Sequence, residues 1–129
     1  MEEFLKNLVI KYQLPFKKGE FGGWQIELPL RGKFMCKLDI GDKAFEWYAA
    51  VHRQQDDRQV WMDWMDYYGY GSESEEELID DKKRDLTYFI DIWLSAIDVR
   101  TNGFFRPLRK LELNLSGTWI KDSMYDPNR

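Results

Sequence analysis

One cysteine, one histidine and no long apolar run set the first limits on this chain of 129 residues. Cys36 has no second cysteine to join, which excludes an internal disulfide, a cysteine-rich zinc site and a CxxC redox pair. Its expected place is the apolar face of a strand, where a free thiol acts as a small buried hydrophobe. With His52 the only histidine, H-E-x-x-H and multi-histidine zinc signatures cannot occur, and a Ser-His-Asp or Cys-His site would have to be built around that ring. No G-x-S-x-G elbow accompanies it, and the nearest thing to a dinucleotide-binding G-x-G-x-x-G is the bare G-x-G of Gly69-Tyr70-Gly71. The carboxylates lack EF-hand spacing. With neither a catalytic nor a cofactor motif, the expectation is a non-enzyme that carries no cofactor and no metal.

No stretch approaches the ~18 apolar residues needed to cross a bilayer. Met1-Glu2-Glu3-Phe4 is acidic where a signal peptide is basic, so the expected setting is the cytoplasm, which also suits a lone thiol. Acids outnumber bases, 23 to 19. The net charge is −4, which argues against nucleic acid as partner, because phosphate binding draws on a basic surface. The acids are unevenly spread. Between Asp56 and Asp85 eleven acids face four bases, a balance of −7 that leaves +3 for the rest of the chain. One part of the molecule should attract cationic surfaces.

What is present is clear periodicity. Phe4, Leu5, Leu8, Val9 and Tyr12 follow a helical stripe over 2–13, with too few lysines (Lys6, Lys11) for a membrane-surface helix. From Trp24 the period is two. Trp24, Ile26, Leu28 and Leu30 turn at Arg31-Gly32 into Phe34, Cys36, Leu38 and Ile40, and Phe45, Trp47, Ala49 and Val51 follow. A polar turn at 54–58 precedes a fourth strand, in which Val60, Met62 and Trp64 alternate with Trp61, Asp63 and Met65. Pro29 places the first strand near an edge. Ser74-Glu75-Glu76-Glu77 has the form of a capping box opening a long helix. Its stripe of Leu78, Leu86, Phe89, Ile90, Trp93, Leu94 and Ile97 packs, its charged first turns (Asp80 to Arg84) are solvated, and Asn102-Gly103 closes it. Leu111, Leu113 and Leu115 suggest a last strand. The expected architecture is α+β, one domain over 1–129: an antiparallel meander of four to five strands with an N-terminal helix and a long helix after strand four.

The segment from Trp61 to Tyr70 interleaves acids with tryptophan, tyrosine and methionine and leads into the acidic run from Glu73 to Asp81. That is the composition of an interface: aromatics give contact area at low rotamer cost, and clustered carboxylates speed encounter with a basic partner. A nucleic-acid platform would need cations beside its stacking rings. A small acidic domain with a strand meander, a long second helix and an aromatic, carboxylate-rich loop resembles the small immunity proteins of bacterial toxin systems. The resemblance implies tight binding of a cognate toxin, often a basic nuclease, with carboxylates standing in for nucleic-acid phosphate at its active site. Those families have no shared motif that assigns positions, so charge and loop placement choose them here: Asp63, Asp66, Glu73, Glu75, Glu76 and Glu77, continued by Asp80 and Asp81, with Tyr67, Tyr68 and Tyr70 as contacts.

Two other readings stay open. Alternation throws Glu27, Lys37, Asp39, Glu46, Tyr48 and His52 to the second sheet face, where paired carboxylates could serve acid–base chemistry or bind a small ligand in a concave pocket. The plain alternative is a solvated face. The third reading is a subunit whose aromatic strand edge pairs with a copy of itself, giving a homodimer.

Overall fold

The computed structural model describes residues 1–19, 22–42, 46–67, 74–102 and 110–121. The chain runs α1 (Glu2–Tyr12), β1 (Phe16–Lys18), β2 (Trp24–Pro29), β3 (Phe34–Ile40), β4 (Glu46–Arg53), β5 (Gln59–Asp66), α2 (Glu75–Ser95), β6 (Asp98–Asn102), β7 (Lys110–Leu115) and β8 (Thr118–Lys121). β1 to β5 form one antiparallel sheet in sequence order, and β6, β7 and β8 form a second. The fold is α+β, built on a meander followed by a long helix.

The alternation read from sequence is what buries the sheet. Ile26, Leu28, Cys36, Leu38, Ile40, Trp47, Ala49 and Val51 lie on the face covered by the helices, with Leu5, Leu8 and Val9 of α1 and Leu86, Phe89, Ile90 and Trp93 of α2 in the same core. Phe89 stacks on Trp93 at 4.3 Å and takes the edge of Trp47 at 5.1 Å. Tyr12 Oη donates to Asp91 Oδ1 (2.9 Å), joining the end of α1 to α2. Burial pushes the Cys36 thiol well above its ordinary range, so it is inert packing. Arg31-Gly32 does turn the chain, with Gly32 at φ +87°.

Several expectations need correction. Lys17 and Lys18 do not merely end α1; they form a short edge strand against Gln25 and Trp24. β2 is therefore the second strand, and Pro29 is tolerated because β1 stops opposite Ile26, leaving Pro29 paired only with Met35 of β3. Ser74 caps α2 as expected, its Oγ accepting from Glu77 N (3.2 Å). The helix ends at Ser95, short of Asn102-Gly103, because the chain from Asp98 is captured as a strand by β7, and Ile97, expected on the packed stripe, lies outside the helix and exposed. β7 carries the leucines of the expected last strand, but in the second sheet, where Leu111 and Leu113 reach the common core.

The first half of α2 is not simply solvated. Lys82 and Asp85 are fully buried, because the spacing Leu78, Lys82, Asp85, Leu86, Phe89 keeps both on the inward stripe. Lys82 Nζ donates to Gly41 O in the β3–β4 turn (2.8 Å). Burial pushes its ammonium down to about 8, against the opposing pull of Asp42 and Glu46. Asp85 Oδ2 accepts from Tyr67 Oη (2.6 Å), which itself accepts from Trp47 Nε1 (3.0 Å).

Candidate functional site

The far face of the five-stranded sheet is built by the other half of each alternating pattern. Register places Gln25, Asp39, Tyr48 and Trp64 in one row across β2 to β5, and Glu27, Lys37, Ala50 and Met62 in the next. Of these, Trp64 is 50% exposed, Met62 49% and Tyr48 37%, three of the five most exposed large hydrophobics among the described residues. Tyr48 and Trp64 are direct cross-strand partners and Met62 lies diagonally beside Tyr48, so they form one patch.

A β-bulge puts them there. Val51 is opposite Trp61 but His52 is opposite Gln59, so Val60 is an extra residue on β5. Beyond it the strand's phase is inverted relative to a simple count. Trp61, Asp63 and Met65 turn to the covered side, where Trp61 meets Trp93 at 5.2 Å, while Met62, Trp64 and Asp66 turn to the open side. Counting alternation on from Val60 would put Met62 and Trp64 on the covered side with Trp61 and Met65 outside; the bulge reverses this. The residue-level trace of the bulge is the adjacent apolar pair Val60-Trp61, which strict alternation cannot accommodate.

Charge on the open face differs between its two ends. At the β4–β5 turn the charges are paired: Lys37 Nζ to Asp57 Oδ1 at 3.6 Å, Arg53 to Asp56, and His52 Nδ1 at 3.2 Å from Asp57 O. The hydrogen bond from Arg53, helped by the Arg58 N–H, holds the Asp56 carboxyl below its usual range. The other end collects Asp39, Glu46 and Asp66, with Glu46 directly opposite Asp66. None of these three makes a salt bridge among the described residues. Asp39 accepts from Gln25 Nε2 (2.8 Å) and Asp66 from Trp64 Nε1 (3.3 Å). α2 begins beyond this end, as Lys82 lies under Gly41, and its first turn exposes Glu75, Glu76 and Glu77.

The residues chosen from sequence are thus divided. Asp66, Glu75, Glu76, Glu77 and Asp80 are exposed, and Asp81 is half-buried. Asp63 points to the covered side, its Oδ1 accepting from Trp64 N (2.8 Å). Tyr67, expected as a loop contact, is 5% exposed and belongs to the core, because its hydroxyl bridges Trp47 and Asp85. Tyr68, Tyr70 and Glu73 lie outside the described residues. Sequence reasoning missed Met62 and Trp64 as surface groups, and placed Asp39, Glu46 and Tyr48 correctly on the second face without joining them to the acidic run.

That face is not flat. Where the β1–β2 connection meets the β3–β4 turn, a hollow of about 440 Å³ is bounded among the described residues by Gly19, Gly23, Trp24, Gln25, Asp39, Ile40, Gly41, Glu46 and Tyr48. Gly23 permits the approach: a Cβ there would stand 2.6 Å from Ile40 O. Among the described residues no three of His, Cys, Asp and Glu converge on a metal position, and no helix is long and apolar enough to cross a membrane.

With this geometry in hand, the chain was compared with protein-family models, curated proteins and solved structures, and none of the three comparisons gave a match.

Proposed function

We propose that this protein binds a cationic protein through the acidic, aromatic end of the open sheet face and the adjoining start of α2. One observation carries the reading: Trp64, Met62 and Tyr48 lie exposed and contiguous beside Asp39, Glu46 and Asp66, which make no salt bridge among the described residues. Folding gives no reason to leave such a patch wet, whereas an interface uses aromatic anchors inside a charged rim. In its sharper form the partner is the basic nuclease domain of a bacterial toxin. The protein then acts in the cytoplasm as its immunity protein, carboxylates occupying the place of nucleic-acid phosphate.

Self-pairing is the weaker use of the same strand. β5 is an edge, but it carries a bulge and the inward-facing Asp63, two devices that discourage edge-to-edge association.

The test is capture from the host's lysate at low and high salt, using wild type, Trp64→Ala and an Asp39→Asn/Asp66→Asn double variant. A basic protein held by wild type, weakened by salt and lost by both variants supports the reading, and inhibition of that protein's nuclease activity supports its sharper form. Equal retention by all three would remove this surface as the binding site.

A further inference from the structure

We infer that the hollow at the end of the open face is a guanidinium site, filled by an arginine side chain of the basic partner; this rests on the reading above. Its walls contain two carboxylates and, among the described residues, no lysine or arginine. Asp39 is held in position by Gln25 Nε2 through Oδ1, so its other oxygen remains to accept. Glu46 makes no hydrogen bond among the described residues; it interacts electrostatically with the buried Lys82, one of whose three N–H donors goes to Gly41 O. Lys82 answers only part of the local charge, because Asp42 shares it with Glu46.

The occupant this suits is a planar cation with several donors. A guanidinium can bond carboxylates on neighbouring strands at once, and its face can rest on the ring of Tyr48, which forms part of the wall. An anion would meet two carboxylates. A bare metal ion would lack its ligands, since no third His, Cys, Asp or Glu joins them among the described residues. A volume of about 440 Å³ lies within the usual ~300–1,000 Å³ of ligand pockets, ample for one long side chain. Tyr48 also belongs to the exposed patch, opposite Trp64. An arginine seated in the hollow would therefore be bordered by the contact that excludes water around it, the arrangement found at the centre of strong interfaces.

N-acetyl-L-arginine amide is the probe. It is titrated into the ¹⁵N-labelled full chain, with the amides of Gly23, Gln25, Asp39 and Tyr48 followed by NMR. Saturable shifts at these positions are expected, weakened about tenfold or more in Asp39→Asn and in Glu46→Gln. They should be unchanged in Ile10→Ala, on the exposed side of α1, and absent with N-acetylglycine amide. The side-chain oxygen kept in Asp39→Asn can still accept from Gln25, and dispersed spectra check that both variants fold. The captured partner should also bind Asp39→Asn and Glu46→Gln more weakly. No saturable shift, or equal shifts in the variants, overturns the site. Binding of the amide with undiminished affinity of the variants for the partner overturns the arginine source and leaves a pocket for a free organic cation. Salt-insensitive capture or none, with the amide still saturating the hollow, is the distinct signature of failure in the earlier reading alone.

Discussion

The two faces of the five-stranded sheet carry similar residues to opposite ends. The covered face places Trp47 against Phe89 and Trp61 against Trp93, and its aromatic surface is removed from water by α1 and α2. The open face holds Tyr48, Met62 and Trp64 on the same strands, and they stay between a third and a half exposed. Burial explains the first set. The proposed contact would cover the second, and Asp39, Glu46 and Asp66 beside it, which make no salt bridge among the described residues, would give that contact its sign.

The largest effect should come from the covered face. Trp47→Ala is expected to cost about 3–5 kcal/mol in urea unfolding, from lost transfer energy and a cavity beside Phe89. Trp64→Ala on the open face should change stability by no more than about 0.5 kcal/mol while abolishing partner capture. Comparable losses at both positions would break the distinction between the faces.

Tyr67→Phe comes next. It strips one hydroxyl from a buried chain and removes both the bond it accepts from Trp47 Nε1 and the bond it donates to Asp85 Oδ2, an expected loss of about 1–3 kcal/mol. A neutral result would return Tyr67 to the surface set from which the structure removes it.

Lys82 sharpens the comparison through pH. Its folded pKa lies at about 8, below the ordinary 10.5, so between those values the unfolded chain binds more protons than the folded one. Stability should therefore rise with pH across that window, by about 3 kcal/mol at most, and be at its lower plateau below about pH 8. Denaturation series for wild type and Lys82→Met should diverge there, the variant lacking the rise. Parallel curves would mean that the ammonium is solvated.

The smallest expected effect is none. Sedimentation should report a monomer across the accessible concentration range, because β5's edge is protected by its bulge and by Asp63. A concentration-dependent dimer that Trp64→Ala dissolves would turn the open patch into a self-interface.

Much of this was legible in the residues. The alternation in 24–40 and 47–51 located three strands and their buried sides, and Ser74 located the start of α2. The candidate site was only half legible. The acids of the α2 start are visible as a run, but Asp39, Glu46 and Asp66 lie up to 27 positions apart and meet only through strand register. Tyr67 looked like a loop contact because nothing local announces that Trp47 and Asp85 wait for its hydroxyl.

Local residue patterns set the period of each segment, the cap of α2 and the α+β class, since each depends on neighbours within a turn or a strand, and composition set the acidic imbalance. Tertiary structure decided which face β5 presents after its bulge, that Lys82 and Asp85 enter the core, and that β7 draws the chain after Ser95 into a second sheet. The physical reason is the same in each case: these outcomes depend on partners distant along the chain, whose hydrogen bonds and packing outweigh local preference.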